Sequence, residues 1–139
     1  MTVFDVEKAL NYTMMNFMNS TSLEFDVAWP NTHYEPVVGR NYVRVEFMPA
    51  SSAPVGVGAE SKSRETGIYQ IAVNISADTG KADVVDIVEE LQPFFKQGSA
   101  IVHNGTEIRI MRFRPVMSIS DTDWFTQFIR VEWRSDIIN

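Results

Sequence analysis

The chain has no cysteine, so disulfides, thiolate nucleophiles and Cys-ligated zinc are all excluded. It has two histidines, His33 and His103. Neither has a cysteine, an aspartate or the other histidine close by in sequence, so no ligand set or nucleophile–base pair is legible around them. No apolar run approaches the ~18 residues that cross a bilayer. The opening M-T-V-F-D-V-E-K has early acids and no basic stretch leading into an apolar one, so no signal peptide is expected. Phosphate loops of the G-x-x-x-x-G-K-[ST] type, G-x-G-x-x-G, H-E-x-x-H and the G-x-S-x-G elbow are all missing. Val55-Gly56-Val57-Gly58 contains only a G-x-G without the strand-to-helix setting. Basic residues are also few: the net charge is −6 over 139 residues, which argues against a protein built to grip a phosphate backbone. These absences fit an intracellular protein that is not an enzyme and needs no cofactor or metal.

What is present reads as one α+β domain over residues 1–139, a mainly antiparallel sheet with two helices packed on it. Arg64–Ser76 organises the rest. From Tyr69 it alternates, with Tyr69, Ile71, Val73 and Ile75 on one face and Gln70, Ala72 and Asn74 on the other, the pattern of a strand with one buried face. Ahead of it, Thr2–Met18 predicts a helix, with Thr2 as N-cap, Asp5 completing a capping box, and Val3, Val6, Leu10, Met14 and Phe17 as its apolar stripe. The run M-M-N-F-M within it is read as core packing rather than as an adaptable binding surface. Glu24–Trp29 predicts a short strand that Pro30 stops, with Trp29 as a sheet-edge anchor. Asn41–Met48 predicts a second strand, ended by Pro49.

Ala50–Ser63 is too poor in large apolar residues to form a core, yet too long for a simple hairpin connection. Val55 and Val57 have little reason to be apolar in a solvated loop. The segment is therefore expected to be an extended loop or long β-hairpin arm that orders against another chain. Lys81–Phe95 predicts a helix capped by Asp78 or Thr79, burying Val84, Val88, Leu91 and Phe95. Its acids Asp83, Asp86, Glu89 and Glu90 are read as a solvated face rather than a metal or acid–base cluster. The Asn104-Gly105 dipeptide predicts a hairpin between Ala100–His103 and Thr106–Phe113, and Pro115 is expected to interrupt or end the strand. Asp123–Ser135 closes the sheet. Arg109, Arg112 and Arg114 do not share one strict period-two face, so a bulge or a strand end must gather them.

Taken together, Trp29-Pro30-Asn31, the strand Tyr42-Val43-Arg44-Val45, R-E-T-G-I-Y-Q-I-A-V at Arg64–Val73 and the closing V-E-W-R at Val131–Arg134 resemble the tail-terminator (tail-completion) proteins of long-tailed bacteriophages. The resemblance spans nearly the whole chain. It implies a virion structural protein at the head-proximal end of the tail, forming a homohexameric ring that caps the tail tube, stops its polymerisation and offers a surface for head-completion or neck proteins. DNA would pass through such a ring without specific binding, and no membrane is involved. Another head–tail connector or neck subunit is the alternative within that class; a small ligand-binding domain or enzyme is the alternative outside it. The long arm and the arginine cluster match no family motif, so their roles rest on physics. The residues expected at a subunit or partner interface are Pro54, Val55, Gly56, Val57, Glu60, Lys62, Arg64, Arg109, Arg112 and Arg114. If the arginines lay on the lumen they would touch DNA; on an interface they would pair with acids such as Asp83 or Glu90.

Overall fold

The computed structural model describes residues 2–56 and 62–138. Helix α1 (Val3–Ser20) begins as the sequence predicts. The Thr2 hydroxyl accepts from the Phe4 amide, the Asp5 carboxylate accepts from the Thr2 amide at 2.8 Å, and the capping box is complete. Val6, Leu10, Met14 and Phe17 are buried, joined by Ala9 and Thr13. The short strand β1 (Asp26–Ala28) follows, then the long strands β2 (Tyr42–Val55) and β3 (Lys62–Ser76). After helix α2 (Ala82–Leu91) a 3-10 turn (Gln92–Phe95) leads to β4 (Ala100–His103), β5 (Thr106–Ser120) and β6 (Trp124–Ile138). The six strands form one sheet in the order β1-β2-β3-β6-β5-β4, antiparallel throughout except that β1 runs parallel to β2.

One face of this sheet is the core. Val43 and Val45 of β2, Tyr69 to Ile75 at odd positions of β3, Ile129, Val131 and Trp133 of β6, and Ile108 and Ile110 of β5 are all buried in a single cluster with the inner sides of both helices. Aromatic contacts tie the layers together. Phe17 of α1 lies 5.6 Å from Phe25 and 5.5 Å from Phe94, centroid to centroid. Tyr69 stacks on Phe95 and donates its hydroxyl to Asn11 of α1 at 2.6 Å. Burial pushes the Tyr69 phenol well above its ordinary pKa, so it remains a donor throughout the physiological range.

Three expectations are corrected. The second helix is shorter than Lys81–Phe95: it stops at Leu91, and Pro93 falls in a 3-10 turn because proline cannot continue an α-helical ladder. Its cap is neither Asp78 nor Thr79 but Lys81, without a side-chain bond. Asp78 adopts a positive φ, and the Thr79 hydroxyl donates instead to the Ser76 carbonyl. Pro49 does not end β2. Pro115 interrupts the β5–β6 ladder, whose register shifts between Pro115 and Ser118, one of the two effects expected of it, while β5 itself runs on to Ser120. Both prolines sit beside register shifts where the neighbouring outer strand has run out: β1 reaches only Arg44 and β4 reaches only Arg109. A proline is tolerated on such an edge because no ladder donor is lost.

Candidate assembly surfaces

The segment read as an excursion at Ala50–Ser63 is in its described parts a continuation of the sheet. β2 and β3 stay paired through Pro54–Ser63 and Val55–Lys62, past a bulge between Pro49 and Ser51. β6 continues alongside, pairing Arg64 with Asp136, Ser63 with Ile137 and Lys62 with Ile138. The arm is thus a three-stranded ribbon rather than a two-stranded hairpin. Polar side chains lace it: Ser51 to Thr66 at 2.6 Å, Ser52 to Glu65 at 2.8 Å, and a two-pronged Arg64–Asp136 pair at 2.9 and 3.1 Å. Hydrogen bonding from Arg64 holds the Asp136 carboxyl below its ordinary pKa. Pro54, Val55 and Gly56 close the described part of the tip, with Gly56 at φ +87° where a side chain would be strained. Val57 and Glu60 lie outside the described residues.

The arginines are gathered by a bulge, one of the two devices expected from their spacing. The β5–β6 register shifts between Ile110 and Arg112, with Met111 the extra residue. As a result Arg109 stands opposite Arg134, Arg112 opposite Glu132, and Arg114 opposite Arg130. All of these alternate with the buried residues of their strands and so lie on the sheet face away from the helices. Arg44 of β2 and Arg64 of β3 share that face by the same alternation. Every arginine of the chain except Arg40 therefore stands on one open surface, with Lys62 at its arm end. The acids there are Glu46, Glu107, Glu132 and Asp136. Arg112 reaches Glu132 at 3.3 Å; Arg109 donates to the Gly98 carbonyl at 3.0 Å and lies 3.9 Å from Glu107. Arg44, Arg114, Arg130 and Arg134 form no ion pair among the described residues. Lys62, Arg109 and Arg134 also line a cleft of about 400 Å³ with Glu107 and Asp136.

Arg44, Arg130 and Arg134 were not among the residues singled out from sequence. Alternation along the last strand puts Arg130 on its outward side, but its place beside Arg114 depends on the strand order, which the sequence does not spell out. Arg40 stands apart. It donates to Asp26 at 3.0 and 3.2 Å, and Tyr34 donates to the same carboxylate at 3.0 Å, which holds the Asp26 pKa down and pins the 30–40 loop. Tyr34 packs on Tyr42, and Tyr42 on Trp124, covering that end of the open face.

The remaining features stay ordinary. His33 is exposed beside Glu35 at 3.3 Å, a carboxylate neighbour not recognised from the sequence, and His103 stacks on Tyr12. Met14 is core, as expected for the methionine run, while Met15 is half exposed. Among the described residues no three His, Asp or Glu side chains converge as a metal site, and no helix is long and apolar enough to cross a membrane.

A family model described as phage tail terminator protein matches residues 5–133. No curated protein matches the sequence. One solved structure superposes with a TM-score of 0.77 at 17% identity, covering 97% of this chain and 96% of the other; at that identity it establishes the fold alone.

Proposed function

The chain belongs to the phage tail terminator family, and on that premise we propose that it closes the tail tube as a hexameric ring. It is thus a structural protein of the phage tail, and in this reading it acts without catalysis. The ring seats on the last ring of tail-tube protein, blocks further addition, and presents its other side to the head-completion or neck protein. It therefore lies at the head-proximal end of the tail, and DNA passes through its lumen without sequence-specific contact. The observation that carries the reading is the match over residues 5–133.

The geometry supports it in one respect. A cyclic head-to-tail ring needs two different, complementary patches on every subunit. The three-stranded arm, with Pro54, Val55 and Gly56 at the end of its described part, and the continuous sheet face carrying Lys62, Arg64, Arg109, Arg112 and Arg114 are the surfaces we assign to such contacts. Val57 and Glu60 belong to the same proposed interface. The test is tube growth: purified tail-tube protein polymerised with and without this chain. Capping predicts shorter tubes with the protein at one end only. Unchanged tube length with binding to neck protein alone would reassign it as a connector subunit.

A further inference from the structure

The open sheet face holds an energetic oddity. Two pairs of directly opposed residues, Arg109–Arg134 and Arg114–Arg130, carry like charge, an arrangement that destabilises a strand pair. Glu132 between them and Glu107 beside Arg109 relieve the row only in part. On the opposite layer of the molecule, α2 turns Asp83, Asp86, Glu89 and Glu90 outward, all exposed. Asp83 accepts from Asn41 and Glu90 from Thr21, but none of the four forms an ion pair among the described residues. The molecule thus carries an unneutralised basic surface on its sheet side and an unneutralised acidic one on its helix side.

We infer that the arginine face of one copy docks on the acidic outer face of α2 in the next copy. The inference rests on the ring reading and names the contact that closes the ring. The dimensions agree: Arg130 and Arg134 are four residues apart on a strand, about 13 Å, and Asp83 to Glu90 spans seven residues of helix, about 10 Å. The apolar content agrees as well. Met48, Ile68 and Phe128 lie half-buried among the arginines, and Val85 is 45% exposed among the acids of α2. An apolar centre with arginines around it is the make-up of a protein interface. A phosphate-tracking surface has no use for it, and the net charge of −6 opposes capture of a polyanion at long range. Guanidinium groups also suit two-pronged pairing with carboxylates better than lysines do, and the face has seven arginines to one lysine by the placements given above.

The test is a charge swap in the full chain. One variant carries Arg114→Glu and Arg130→Glu; the other carries Asp86→Arg and Glu89→Arg. All four positions are exposed, and melting curves confirm that each variant folds. Each alone should assemble at least about a hundredfold less readily than the native chain, since opposed like charges cost several kcal/mol. Mixed in equal amounts, the two should rebuild rings, because each reversed face then meets a reversed helix. Native rings with both variants assembling normally would overturn this contact while leaving the ring intact. So would a sheet variant that still forms rings but loses salt-sensitive binding to a DNA duplex, which would assign the face to phosphate. A native chain that forms no ring, alone or on tube ends, would remove the ring reading itself.

Discussion

The indole of Trp133 occupies the space that a side chain on Gly67, its pairing partner, would need. A Cβ on Gly67 would sit 2.6 Å from Trp133 Cζ2 and 2.6 Å from the Met48 carbonyl oxygen. Trp133 is in turn stacked on Phe47, with centroids 5.3 Å apart and planes 8° from parallel. This is where the arm leaves the body: Gly67 pairs with Pro49, beside the bulge in β2. The close approach locks the root of the ribbon to the core. Gly67→Ala should therefore destabilise the fold by about 2 kcal/mol or more, since one of the atoms met is backbone and cannot rotate aside. Urea unfolding measures it; an unchanged midpoint would show that the strands part at no cost.

Ile71 lies between Val45 and Ile129 in register, fully buried on the helix side. A carboxylate there has no partner, so Ile71→Asp should cost more than about 4 kcal/mol and leave the chain unfolded by circular dichroism. Gln70→Asp, one residue along on the open face beside Arg130, should be tolerated within about 0.5 kcal/mol. The reverse pattern would mean that the faces are assigned wrongly.

Removing Ser52–Lys62 and joining the ends with a short glycine-containing turn keeps the Ser51–Thr66 pairing. The body should melt within a few degrees of the native chain, because among the described residues the core cluster takes only Ile137 from the arm region. Assembly should weaken about tenfold or more if the arm clasps a neighbour, since that contact is lost. Light scattering of both forms at matched concentrations reads the difference, and equal assembly would make the arm dispensable.

The Arg64–Asp136 pair sets a pH dependence for the ribbon. Asp136 is held below its ordinary value of 3.8, chiefly by its hydrogen bonds from Arg64. A carboxyl depressed in the folded state stabilises it fully above the unfolded pKa, and that contribution disappears as pH falls through the folded value. The native chain should melt higher than Asp136→Asn at neutral pH, by no more than about 1 kcal/mol for a partly exposed pair. The gap should hold steady down to about pH 5 and close as the solution is taken below 3.8. A gap that widens in acid would contradict the pairing.

Much of this fold was written locally. The Thr2–Asp5 box and the stripe from Val6 to Phe17 specify α1, and strict alternation specifies β3. The hairpin turn is specified by Asn104 and Gly105, found at φ 49° and 81°. The proline positions were not readable, because Pro49 and Pro115 break a strand only if a neighbour needs their missing donor. Whether it does depends on where β1 and β4 stop. The arginine face was half legible: the need for a bulge or a strand end followed from the spacing of Arg109, Arg112 and Arg114. Arg130 and Arg134 joined them only through the β5–β6 register, a long-range pairing with no local signature. Thr79 looked like a helix cap, yet its hydroxyl had a nearer acceptor in the turn preceding α2.

Native mass across a concentration series, with negative-stain images of the same fractions, tests the central claim most directly. The ring reading predicts a species of about six times the 15.8 kDa subunit mass, ring-shaped in projection, either alone or once tail-tube protein is added. A monomer that stays monomeric at every concentration, and gains no mass on tubes, would contradict it.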